Sequence, residues 1–244
     1  MAADGSPTFG AATIKPSDPN QLGWTLAISG RHFVTANTNM TDLISYAYDL
    51  HAKQVVNGPP WFLSDKFDID AVPDGEGRPG RGQFKMMVQK LLTDGFGLAF
   101  HHEKRELAVY VITVGKGGPK LMHSASGPND PTGFGFGPLG VLTAKNLTIE
   151  AFANVMQRTV LDRPVVDQTG VSGRLDFVLK WTPDDSQFAQ LRGSGVTAPP
   201  VVDEPNSPPN LYTAIQEQLG LKLEPMRAPD DTIVIDHVQK PSAN

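Results

Sequence analysis

His101-His102-Glu103 sets two imidazoles and a carboxylate side by side, ligand types that suit a zinc ion. Adjacent side chains on a strand point to opposite faces, however, so His101 and His102 do not readily share one ion. His32, His51, His123 or His237 would have to complete such a site, and solvated or core-edge histidines are the plainer reading. The chain has no cysteine, which removes disulfides, thiolate nucleophiles and Cys-based zinc or iron–sulfur centres. No metal or cofactor is expected.

Gly75-x-Gly77-x-x-Gly80 and Gly135-x-Gly137-x-x-Gly140 both satisfy the dinucleotide-binding spelling. That fingerprint works where a strand feeds the loop and a helix leaves it, so that the helix N-terminus meets pyrophosphate. The first copy carries Pro79 before a helix with no parallel partner strand, and the second leads into a strand. Gly170-Val171-Ser172-Gly173 lacks the spacing of a nucleophile elbow and reads as a turn. The pairs Asp68/Asp70 and Asp184/Asp185 lie on the polar face of a strand and in a loop, without the burial that separates an acid from a base.

A more informative pattern is repetition. Lys66-Phe67-Asp68-Ile69 and Arg174-Leu175-Asp176-Phe177 share a basic-apolar-Asp-apolar order, and each follows a Thr-Ala unit, Thr35-Ala36 or Thr143-Ala144. Asn39-Met40-Thr41 and Asn146-Leu147-Thr148 lie between. An apolar helical stretch and a β-branched run follow each copy, so the halves are expected to be duplicated lobes. Asp68 and Asp176 would then occupy equivalent places, where the carboxylate caps a helix or pairs with a neighbouring Arg, a structural use ahead of a binding one. Asp167 and Trp61 complete the candidates. Trp61 and Trp181, beside Pro60 and Pro183, either cover the core or offer a stacking platform for sugar or peptide.

The elements that position these residues follow from periodicity. Strands are expected around residues 11–14 and 24–28, with Gly30-Arg31 turning the latter into a hairpin. A helix starts at Thr41-Asp42, with Leu43, Ile44, Ala47 and Leu50 on one face. Residues 67–72 alternate as a half-buried strand does. Phe84, Met87, Val88, Leu91 and Leu92 form the best amphipathic helix, which Gly95 is placed to stop. Residues 98–102 and 107–114 are expected to be two antiparallel strands joined around Glu103-Lys104-Arg105-Glu106. The second pass repeats this order: a strand at 141–143, a helix capped by Thr148, a strand at 174–181, a flexible Pro/Ser/Asp-rich insertion at 183–209, a helix stopped by Gly220, and strands at 221–223 and 232–238.

The expected fold is α+β, with two β-α-β-α-β-β lobes whose helices pack on small mixed or antiparallel sheets. Lobe one is placed at 1–125 and lobe two at 126–244, within a Gly/Pro-rich connector. A charge of −5 with scattered Lys and Arg argues against nucleic acid. No run of about 18 apolar residues exists to span a bilayer.

Taken together, Phe33-Val34-Thr35-Ala36, Gly58-Pro59-Pro60-Trp61, Phe67-Asp68-Ile69, Leu107-Ala108-Val109-Tyr110 and Ile235-Asp236-His237-Val238 resemble a large soil-bacterial family of unknown function. Its most specific block is Arg163-Pro164-Val165-Val166-Asp167-Gln168-Thr169-Gly170. The resemblance implies an exported domain, periplasmic or secreted, whose leader is not in this sequence; related domains occur on membrane metallopeptidase sensors. Each half also resembles, more weakly, the short N-terminal signalling domains of secretins and TonB-dependent receptors, which implies partner binding without catalysis.

The expectation is therefore a noncatalytic extracytoplasmic module that binds an unknown protein or peptide, with sheet edges able to recruit a strand. The alternatives are a small-molecule binder or hydrolase using a cleft between lobes, and a sensory module duplicated for avidity.

Overall fold

A computed structural model describes residues 7–21, 23–127, 130–189 and 207–241. The fold is mixed α+β, and the chain divides into two compact units: Met1–Arg105 with Asp231–Asn244, and Glu106–Asp230. The units interleave along the sequence, whereas the sequence reading divides the chain between 125 and 126.

Unit one holds β1 (Phe9–Pro16), β2 (Thr25–Ser29), β3 (His32–Thr38) and β5 (Phe67–Pro73) in an antiparallel sheet of order β1-β5-β3-β2. The β2–β3 hairpin turns at Gly30-Arg31, as its sequence predicts. Phe67, Ile69, Ala71 and Pro73 alternate inward along β5, presenting one apolar face. Two helices cover it. In α1 (Met40–Tyr48) the Asn39 side chain accepts from the Asp42 N–H and Asp42 accepts from the Asn39 N–H, a reciprocal cap that starts the helix one residue before Thr41. The other is α3 (Arg81–Phe96), buried through Phe84, Met87, Val88, Leu92 and Phe96. It ends at Gly97, whose φ of 59° forms the left-handed cap. Gly95, expected to stop this helix, lies inside it, and a Cβ there would meet the Ile14 side chain of β1 at 3.1 Å. The short helix α2 (Trp61–Ser64) leads into β5.

Unit two builds the same order from other residues: β7 (Met122–His123), β11 (Leu175–Lys180), β9 (Val141–Leu147) and β8 (Gly133–Phe136) form an antiparallel sheet of order β7-β11-β9-β8. Thr148 caps α4 (Ile149–Val155) by accepting from the Ala151 N–H, and π-helical turns extend it over Met156–Val160. In α5 (Leu211–Ala214) Asn210 is the cap; a π-helical segment, Ile215–Leu219, follows and stops at Gly220 as the sequence predicts. The core centres on Phe152, Met156, Leu179, Trp181 and Ile215, all at most 2% exposed.

The two expected closing hairpins are instead single long strands, β6 (Ala99–Val114) and β12 (Leu221–His237), each passing from one unit to the other. Glu103-Lys104-Arg105-Glu106 contains no Gly, Pro, Asn or Asp to form a turn. Its charges mark an exposed strand, along which Arg105 pairs with Glu103 two residues away at 2.7 Å. In unit one, β4 (Val55–Val56) runs parallel to β12 at Ile233–Val234; in unit two, β10 (Val165–Asp167) runs parallel to β6 at Tyr110–Ile112. Residues 190–206 of the expected insertion lie outside the described residues. Its beginning is packed: Gln187 is 2% and Phe188 3% exposed, with Phe188 stacked on Trp181 at 5.9 Å.

Candidate binding site

The repeated aspartates sit at matching places and do the same work. In unit one, Asp68 Oδ1 accepts from the Asn37 backbone N–H at 2.9 Å and from the Ser17 hydroxyl at 2.6 Å. In unit two, Asp176 Oδ1 accepts from the Asn146 N–H at 2.7 Å, and the Ser124 hydroxyl bonds the same carboxylate. Both asparagines occupy the left-handed region, φ 60° and 53°, where β3 and β9 carry an extra residue against β5 and β11. Each asparagine amide donates to two loop carbonyls, Gln21 and Gly23 in one unit, Gly127 and Asp130 in the other. The aspartates thus pin a β-bulge rather than cap a helix, and Arg174 turns to Thr132 and the Asn146 carbonyl instead. The Asn146 N–H, and next the Ser124 hydroxyl, hold the Asp176 carboxyl below the usual range. The sequence comparison had aligned Asn146 with Asn39; the structural counterpart is Asn37, and Ser17 and Ser124 carried no repeat signal of their own.

His101 and His102 go separate ways, as strand alternation requires: His101 Nδ1 meets Asp236 at 2.9 Å and His102 Nδ1 meets Asp231 at 2.8 Å. His32 pairs with Asp70 at 2.7 Å. Among the described residues no group of three or more His, Asp or Glu side chains is placed to hold a metal ion. Asp167 ends β10 and accepts from the Thr169 N–H and hydroxyl, closing a local turn. Trp61 packs edge-on to Phe62 and Phe67, with the Lys240 ammonium 5.8 Å from its ring centre. Trp181 is 2% exposed and donates from its indole to Gln187.

Neither glycine pattern forms a nucleotide loop. Gly80 caps α3, but β5 lies between antiparallel neighbours. Gly140 sits at φ 88°, and a Cβ there would collide with the Trp181 carbonyl, so the position requires glycine.

One cluster escaped the sequence reading. The Tyr110 hydroxyl donates to Asp162 at 3.3 Å and accepts from Tyr212 at 3.2 Å, while the Arg163 guanidinium lies 5.4 Å from its ring centre. Burial, followed by the Tyr212 hydroxyl, raises the Tyr110 phenol pKa, so it stays a neutral donor rather than a base.

The sheets differ most at one edge. In unit one, β1 runs beside β5 from Pro16↔Phe67 to Phe9↔Pro73. In unit two, β7 pairs with β11 only at Leu175 and Asp176. Beyond that, the Lys180 N–H and C=O bond the Gln218 side-chain amide at 3.0 and 2.6 Å, and the Thr182 N–H bonds the Pro209 carbonyl. Because Trp181 N–H points to Gly140, on the β9 side, residues 178 and 180 point the other way. Among the described residues the outward backbone of Val178 therefore meets no strand, and the residue is 45% exposed.

Residues 41–238 match a family model. The chain belongs to the family described as Protein of unknown function (DUF3738). The match spans all of unit two, while β1, β2 and β3 precede it. No curated protein and no solved structure matches the chain. No helix among the described residues is long and apolar enough to cross a membrane.

Proposed function

We propose that this chain is a noncatalytic, extracytoplasmic module, built from two related units, that binds a protein or peptide by adding an extended segment to a sheet edge. The half-covered outer side of β11 carries this reading: a strand whose counterpart in unit one is fully flanked has, among the described residues, no strand beside it past Asp176. Such a rung offers a backbone donor and acceptor to an incoming strand. The shared sheet order and the twin Asp–Asn–Ser pins support kinship of the units. Selecting binders from a displayed library of random linear peptides, then mapping amide exchange with and without them, tests the reading. Protection on a sheet edge supports it; selected peptides that protect only helices or loops overturn it.

A second reading, a small-molecule site, rests on a groove of about 540 Å³ in unit one, lined by Ser17, Asn37, Lys66, Phe67 and Lys240. Lys240 there pairs with Asp65 at 2.6 Å, and that ion pair, with the Ser64 hydroxyl, lowers the Asp65 carboxyl pKa. Saturable ligand-induced shifts confined to those residues would favour it over strand addition.

A further inference from the structure

We infer that the Gln218 side chain is a displaceable plug in the β11 edge, and that the segment replacing it is an extended, antiparallel stretch with an acidic residue opposite Lys180. This rests on the strand-addition reading and names the edge, register and partner chemistry.

Unit one supplies the template. Aligning Asp68 with Asp176 sets Asp70 against Val178, Ala71 against Leu179 and Val72 against Lys180. In β1 the residues facing those positions are Thr13, Ala12 and Ala11. The corresponding chain in unit two does not continue along the edge, because the Lys120 N–H bonds the Leu219 carbonyl at the end of the π-helical segment. Two rungs then remain beside β11. Among the described residues Val178 has no strand partner on this outer side, and at Lys180 one primary amide reproduces both bonds of a neighbouring strand, Oε1 accepting and Nε2 donating. The Thr182 to Pro209 bond closes the far end. An incoming strand would therefore make four backbone hydrogen bonds at Val178 and Lys180, while releasing the two that Gln218 makes.

Side-chain preferences follow from alternation. The residue facing Leu179 points to the buried side, where β1 uses Ala12, so a small residue fits. The residue facing Val178 lies on the open side beside a β-branched neighbour, where β1 uses Thr13. Lys180 is exposed, and no described carboxylate pairs with its ammonium. Across the sheet of unit one, Lys15 already faces Asp68, a cross-strand pair of opposite charge. An acid facing Lys180 makes the reciprocal pair. The expected recognition element thus reads acidic, small, β-branched from N- to C-terminus.

The test is an NMR amide titration of the whole chain with a blocked hexapeptide of the sequence of residues 8–13, and with the same peptide carrying Ala11→Asp. The acidic peptide should shift the amides of Val178, Leu179 and Lys180 and bind about twofold to fivefold more tightly than its parent, as one exposed charge pair allows. Gln218→Ala should tighten both by a similar factor, about threefold, by removing the competing amide. Val178→Pro should abolish the shifts, because proline removes an outward N–H while sparing the bonds to β9. Folding of that variant is verified by unchanged amide shifts in β9. Shifts that persist in Val178→Pro, or that map to β1, β2 or β8, overturn the plug while leaving strand addition standing. Failure of these peptides and of every library-selected peptide to perturb any edge overturns both.

Discussion

The outer sides of β5 and β11 are the same place in two sheets of identical order, and they are finished in different ways. β5 is flanked along its length by β1, a strand with Phe9, Ala12 and Ile14 packed against the core of unit one. β11 is flanked for two residues, bridged by a glutamine amide at Lys180, and anchored past its end by Trp181. A backbone edge needs partners wherever it is buried. Unit one satisfies the need with a strand; unit two, among the described residues, uses a glutamine side chain at Lys180 and sets no strand beside Val178. The difference teaches that an edge can be closed locally without being closed to a partner.

The largest effect should come from the anchor. Trp181→Ala is expected to cost about 3–5 kcal/mol, the range for emptying a buried aromatic position, and to release Gln187 and Phe188. Pro73→Ala, at the matching place, which in unit one is the last residue of β5, should cost no more than about 1 kcal/mol. Urea unfolding followed by tryptophan fluorescence measures both, and equal costs would break the contrast.

Next is the edge itself. Asp70→Pro removes an N–H that faces β1 at Thr13, as well as the carboxylate paired with His32, and should cost about 2–3 kcal/mol. Val178→Pro removes the equivalent outward N–H where no described strand accepts it, and should stay within about 0.5 kcal/mol, as surface changes do. Thermal unfolding of the two variants gives the comparison directly.

The bulge pins should behave alike. Asn37→Ala and Asn146→Ala each lose two side-chain bonds to loop carbonyls and force a Cβ-bearing residue without a polar side chain into the left-handed region. About 2 kcal/mol is expected in each case, with Asn→Gly milder because glycine accepts that backbone. A cost in one unit only would separate the two pins.

The smallest effect is a pH dependence. The folded Asp176 carboxyl titrates below its unfolded value, so its contribution is complete above the ordinary aspartate pKa of about 3.9 and is lost as pH falls through the lower folded value. The melting temperature of the wild type should exceed that of Asp176→Asn at pH 6 and converge with it on acidification through that window. A gap that widens on acidification would reverse the assigned sign.

Much of this was legible in the residues. The 3.6-residue spacing of Phe84, Met87, Val88 and Leu92, the alternation in 67–72, and the Gly30-Arg31 and Gly220 signals all report local energetics and place their elements correctly. The repeated Asp pointed to a matched pair of positions, but the partners that give it meaning, Asn37 and Ser17, are 31 and 51 residues away in the chain. The long strands were missed because charges at 103–106 suggest a turn to the eye, although the residues lack the conformations a turn needs. Gln218 is invisible to any spacing rule: a glutamine on a helix surface becomes an edge cap only when the fold carries it to Lys180.

Residue-resolved amide exchange at Asp70 and Val178 tests the central claim most directly. The account predicts that Asp70, bonded into β1, exchanges orders of magnitude more slowly than Val178, whose N–H meets no strand among the described residues. Equal, slow exchange at both amides would show that the β11 edge is already occupied, and would contradict it.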